Sequence, residues 1–225
     1  MQGSAYGGPG TRAAVTLIGV GLAVTASPWA RRRFLTWGAT AEEAGGTLPG
    51  DDLLPDAGLV STRAITIGAA PSVVWPWLVQ MGSGRGGAYT YDWIENLFGL
   101  DMHSADEILP QFQHLVVGDT LPLGSGGPAM RVEIAEPERT LVFRSADGAW
   151  VWIFELRAAG STTRLISRNR ICLPGASRVK SLLYDIVMAP GSLIMERKML
   201  HGIKARAERI NGSAEPATRE PACRH

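Results

Sequence analysis

The sequence predicts an α+β fold: a curved antiparallel sheet with two short helices and a long C-terminal helix over its concave face, behind one N-terminal transmembrane helix. Three observations carry this. Five short runs between residues 117 and 173 are rich in Val, Ile, Phe, Trp and Thr and are joined by two to five turn-forming residues, which is hairpin spacing. Residues 190–210 place Ile194, Met199, Ile203, Ala207 and Ile210 near one helical stripe. Residues 13–30 carry no charge and run directly into Arg31, Arg32 and Arg33.

The uncharged N-terminal run is just long enough for a bilayer, which takes about 17–25 apolar residues. A secretory signal has its positive charges before the apolar run, whereas here three arginines follow it and only Arg12 precedes. It therefore reads as a single-pass anchor at 13–30 after a tail at 1–12, with the following domain on the cytoplasmic side by the positive-inside rule. A cleaved export signal, suggested by Val24, Thr25 and Ala26, and a soluble helix are the alternatives. Residues 31–59 are rich in Gly, Ala, Asp and Pro and show no sustained period, so they read as a linker.

The domain itself is expected over 60–210. Ile65 and Ile67 alternate in a first strand over 62–68. Val74, Trp77, Leu78 and Met81 then recur at helical spacing, with Ser72 as a cap and Pro76 in the first turn. A second short helix is expected over about 89–98. Strands follow at 117–123, 130–137, 139–146, 149–158 and 162–173. Trp152, Phe154 and Leu156 share one face, as do Met130, Val132 and Ile134. An amphipathic segment at 177–188 precedes the closing helix, and residues 211–225 read as a polar disordered tail.

Gly82, Gly84 and Gly87 match the G-x-G-x-x-G spacing of a dinucleotide fingerprint, with Asp101 and Asp106 about twenty residues on. That motif needs a buried parallel strand before it and a long helix after it, and here a helix precedes it. The glycines read instead as a chain reversal, so no cofactor is expected. With 22 Lys+Arg against 21 Asp+Glu there is no basic field for nucleic acid. Cys172 and Cys223 make no disulfide framework, and four histidines without metal-ligand spacing suggest no metal site.

The stretches "APSVVWPWLVQMGSGRGGAYTYDWIENLFGLDMHSADEILPQFQ", "VGDTLPL" and "IMERKMLHGIKARAERI" resemble the SRPBCC superfamily, the START and polyketide-cyclase-like domains, and within it small bacterial members with an N-terminal hydrophobic segment. The likeness covers about residues 60–210. It implies a helix-grip fold with a cavity between sheet and C-terminal helix that takes a hydrophobic small molecule or lipid. It implies no particular reaction, since one fold hosts many functions. The chain is accordingly expected to be a membrane-tethered binding domain for such a ligand. The alternatives are a polyketide cyclase or dehydrase-like enzyme using Asp92, Glu95 or His103, and a structural or regulatory protein without a ligand.

Candidate ligand-binding residues cluster between the first two helices: Gln80, Arg85, Tyr89, Tyr91, Asp92, Glu95, Asn96 and His103. Arg85 can fork an anionic head group, and Asp92 or Glu95 can act as a base. The competing structural reading gives these residues caps and ion pairs. Trp152, Met195 and Met199 are candidates for an adaptable apolar lining, against ordinary core filling. Arg168 and Arg170 share a face with Ile166; Arg168 is a candidate on the concave face, where it needs a carboxylate or ligand anion, whereas on the convex face both are expected in solvent.

Overall fold

The computed structural model describes residues 27–97, 99–122, 129–172 and 189–213 of the 225-residue chain. Six strands form one antiparallel sheet in the order β1-β6-β5-β4-β3-β2: β1 Leu59–Ile67, β2 Thr120–Pro122, β3 Ala129–Glu136, β4 Thr140–Ser145, β5 Trp150–Ala159 and β6 Thr162–Ile171. The last five make a meander, because each joint is short enough for only the neighbouring strand to be reached. β1 returns to the open edge beside β6 and pairs with it from Leu59↔Ile171 to Ile67↔Thr163.

Two short helices, α3 (Pro71–Val79) and α4 (Asp92–Leu97), lie between β1 and β2, and the 25-residue α5 (Ala189–Ser213) closes the concave face. At 1.5 Å per residue α5 is about 37 Å long. Its Met199, Leu200, Ile203 and Ala207 are buried against Ile65, Ile67, Val74, Trp77, Phe154 and Leu165. The main core is therefore the layer between α5, α3 and the sheet. Two sequence expectations shift here. Ser72 does not cap α3, which begins at Pro71 behind Ala70, and Pro76 falls inside the helix rather than in its first turn. A register shift between Val132 and Ile134 turns Ile134 to the convex side, away from Met130 and Val132. A bulge adds one residue, and that reverses the face of everything after it.

The convex face is where the structure departs most from the sequence reading. On the side of α5, α1 (Pro28–Leu35) packs on that helix, and just beyond α1 Trp37 meets His201 at 5.6 Å and lies under the Arg197 guanidinium. After it, the stretch expected as a linker forms a strap across the convex face. It contains α2 (Ala41–Gly45), held by a reciprocal capping box between Thr40 and Glu43. Leu48 enters a second small core with Ala64, Val142, Val151, Ile153 and Ile166. Arginines of β6 bind the strap. Arg164 pairs with Glu43; Arg168 donates to Asp51 and to the carbonyls of Glu43, Ala44 and Gly46; Arg170 donates to Asp51 and the carbonyls of Leu54 and Pro55. Arg168 and Arg170 are convex, as one reading allowed, but they are not in solvent: Arg168 is 2% exposed. Convex burial is tolerable because each guanidinium faces carboxylate and carbonyl acceptors.

Most of the expected anchor, residues 13–26, lies outside the described residues, as do the segment 177–188 and the tail from 214; residues 211–213 are helical. Among the described residues no helix is long and apolar enough to cross a membrane.

Candidate functional site

Alternation puts Met130 of β3, Phe143 of β4 and Trp152 of β5 on the concave face, and the registers Val132↔Phe143 and Phe143↔Trp152 set them side by side. Leu121 of β2 continues this face as the cross-strand partner of Met130, and against them stand Met81 and Gly82 just after α3, Ala88 of the glycine loop and Met102 after α4. Together these eight residues line an apolar hollow of about 40 Å³. No titratable group lines it among the described residues.

The loop that forms one wall is a closed unit. Gly82 and Gly87 exchange both backbone hydrogen bonds, and Gly86 N–H donates to the Gln80 carbonyl. Gly87 holds φ at +71°, and a Cβ there would meet the His103 carbonyl at 2.7 Å, so the glycine is needed for shape and for close approach. Amides tied up in this way are not a phosphate cradle, which agrees with reading the glycines as a reversal.

Most residues expected at the site build this wall rather than line the hollow. Gln80 is fully buried and joins Glu107 O, Leu109 N–H and Gln113 Nε2. Arg85 donates to the carbonyls of Val79 and Phe112 and lies over the Phe112 ring, and burial lowers its pKa. Tyr89 is 1% exposed and donates to Trp77 O, and burial pushes its hydroxyl pKa up. Tyr91 lies under Lys198. Asp92 accepts from Ser104 N–H and Oγ, and Asn96 accepts from Met102 N–H and donates to Met102 O, which holds Met102 at the hollow. Glu95 is buried with Oε2 unpartnered, and burial raises its pKa. The exposed His103 approaches Asp101 at 3.5 Å and has no other side-chain partner among the described residues. Asp92, Glu95 and His103 thus share no hydrogen bond or ion pair among the described residues, and none lines the hollow.

Of the twelve candidates only Trp152 lines it. Arg168 lies on the opposite face, so the concave placement is corrected by the pleat. Met199 belongs to the α5 core and Met195 is half-buried on the same helix. The methionines that do line the hollow, Met81, Met102 and Met130, were missed as lining residues, although the shared face of Met130 and Val132 was the available signal.

The space beneath the first turns of α5 is taken by polar groups. Glu196 of α5 pairs with the fully buried Arg63 of β1, accepts from Ser167 Oγ at 2.5 Å and from Asn169 Nδ2 at 3.2 Å, and Arg63 also donates to Phe34 O and Ser192 Oγ. Burial pushes the Glu196 carboxyl up, and Arg63 and Ser167 act against the rise. Trp152 Nε1 donates to Ser167 Oγ and Trp150 Nε1 to Asn169 Oδ1, and the two indoles stack at 5.6 Å. One polar network thus fixes Trp152 at the hollow. The described lining contains no residue of α5, so the hollow sits beside the long helix rather than under it.

No family model matches the sequence, and no curated protein matches it. Solved structures do match. A protein from Mesorhizobium loti is 16% identical over 67% of this chain and 98% of its own, with a TM-score of 0.41. A protein from Rhodobacter sphaeroides is 14% identical over 69% and 96%, with a TM-score of 0.43. A polyketide-cyclase-like protein from Corynebacterium glutamicum is 13% identical over 72% and 96%, with a TM-score of 0.36. The architecture of this chain, a β1-β6-β5-β4-β3-β2 antiparallel sheet gripped by a long C-terminal helix, is the helix-grip arrangement expected from the sequence.

Proposed function

We propose that this protein is a membrane-tethered binding domain for a hydrophobic small molecule or lipid, whose apolar end enters the hollow of Met81, Met102, Met130, Phe143 and Trp152. The observation that carries this reading is a concave recess lined by eight residues of which none is charged. The absence of a titratable group from that lining favours binding over proton transfer. The size of the recess sets a condition. A dry cavity that admits benzene measures about 150 Å³, so a hollow of about 40 Å³ takes an alkyl terminus and opens further only by rotation of its methionines. Three rotatable bonds make methionine suited to that. The tether in this reading is the uncharged run 13–30, and the three arginines that follow it favour the cytoplasmic side for the domain by the positive-inside rule.

The test is tryptophan quenching by 12-bromododecanoic acid in the amphipol-solubilised full chain. Saturable quenching is expected, and Ala88→Leu, which adds three carbons to the wall, weakens it at least about tenfold while the melting temperature stays put. Quenching that never saturates, or that is equal in Ala88→Leu, refutes the reading.

A further inference from the structure

On the convex face the strap leaves one half-buried arginine, Arg144, unclasped. Arg164, Arg168 and Arg170 of β6 each meet Glu43 or Asp51. The strap reaches as far as β4, where a Cβ on Gly50 would touch Val142 at 2.9 Å. Two residues on, Arg144 has no hydrogen bond or ion pair among the described residues, and its Nε is buried without an acceptor. A charged donor in that condition is costly.

Its cross-strand neighbour makes the cost larger. Arg131 of β3 is the Cα partner of Arg144, and both project from the convex side because Val132 and Phe143, one residue along, project from the other. Like charges directly opposite in an antiparallel pair repel. Two carboxylates are near and neither resolves this. Glu133 makes only a 3.4 Å contact with Arg131. Asp147 Oδ1 accepts from Ser145 Oγ and Ala149 N–H, closing the β4–β5 turn. Gly148, at φ +71°, leaves room for the Arg144 guanidinium, since a Cβ there would stand 3.1 Å from Nη2. These residues surround a polar cleft of about 360 Å³.

We infer that the Arg131–Arg144 cleft is an anion-binding site for a phosphate group, free or on a lipid head group, on the face of the sheet opposite the apolar hollow. Two guanidinium forks side by side can share the oxygens of one phosphate through their terminal nitrogens, cancelling the repulsion. The site owes nothing to the hollow, so it stands or falls separately from hydrophobic binding.

The experiment is thermal unfolding of the full chain in a non-ionic detergent, titrated with sodium phosphate or with dihexanoyl phosphatidate below its micelle concentration, at ionic strength matched with chloride. At about ten times the dissociation constant the melting temperature rises by about 3–6 °C. The two arms identify the source: equal response marks phosphate itself as the ligand, and a response to phosphatidate at lower concentration marks a head group. Arg144→Gln abolishes the response in both arms, and without anion it melts about 1–3 °C above wild type, because the repulsion has gone. Absence of stabilisation in both arms, a response that survives in Arg144→Gln and Arg131→Gln together, or a fall in the anion-free melting temperature of Arg144→Gln overturns the assignment. The last would show that Arg144 holds the fold together instead.

Discussion

Replacing Arg168 with methionine tests how the strap is held. The guanidinium is 2% exposed and donates to Thr62 Oγ1, Asp51 Oδ2 and the carbonyls of Glu43, Ala44 and Gly46. Methionine preserves much of the stem but none of these donors, and Asp51 keeps Arg170 and the Leu48 N–H. Removing one partner of a buried pair costs about 3–5 kcal/mol, a large part of a total stability of about 5–15 kcal/mol. In a chain of this size the melting temperature should fall by about 6–20 °C. The assay combines urea unfolding with cleavage by a glutamate-specific protease, for which Glu42 and Glu43 are the strap's own sites. Faster cleavage there, with a coupling of about 1–3 kcal/mol to Asp51→Asn in a double-mutant cycle, is the expected result. A loss under about 1 kcal/mol would mean that Arg168 behaves as a surface charge and that the strap is not clasped through it.

Two further substitutions probe the wall and the strap. Gly87→Ala puts an L side chain at φ +71° and against the His103 backbone, and should cost at least about 2 kcal/mol in chemical denaturation; a neutral result would mean that the loop is free to shift. Glu43→Gln addresses pH. Its hydrogen bond from Arg164 holds the Glu43 carboxyl below its ordinary 4.5, so that contribution is complete above pH 4.5 and is lost as pH falls through the lowered folded value. Wild type should therefore lose its advantage over Glu43→Gln on acidification below that point; a constant difference in urea midpoint across pH 3–7 would contradict the pairing.

Much of the fold was legible because its signals are local. The turn residues of "EPER", "ADGA" and "AAGST" end each strand where the sheet turns, and strand borders fall within a few residues of those expected. Ile134 was misplaced because a bulge is one residue long and leaves no mark on composition. The site was less legible. The cluster at 80–103 is unusually polar in the sequence, yet its polar groups face one another: Asp92 is used by Ser104 and Asn96 by Met102, and apolar residues beside them contribute to the recess. A polar side chain in sequence carries no sign of whether its partner is a ligand or a backbone amide twelve residues away.

By itself the sequence determined the order of elements, the alternation that gives each strand two faces, and the amphipathic closing helix, because periods of 2 and 3.6 follow from backbone geometry within a few residues. Only the tertiary structure decided that residues expected as a loose linker cover the convex face and that the hollow is small. The Arg168–Asp51 contact joins residues 117 positions apart, and the room left at the hollow depends on side chains from seven separate stretches meeting at one point. Neither distance nor residual volume is a property of any local window, since both are fixed only when the whole chain has packed.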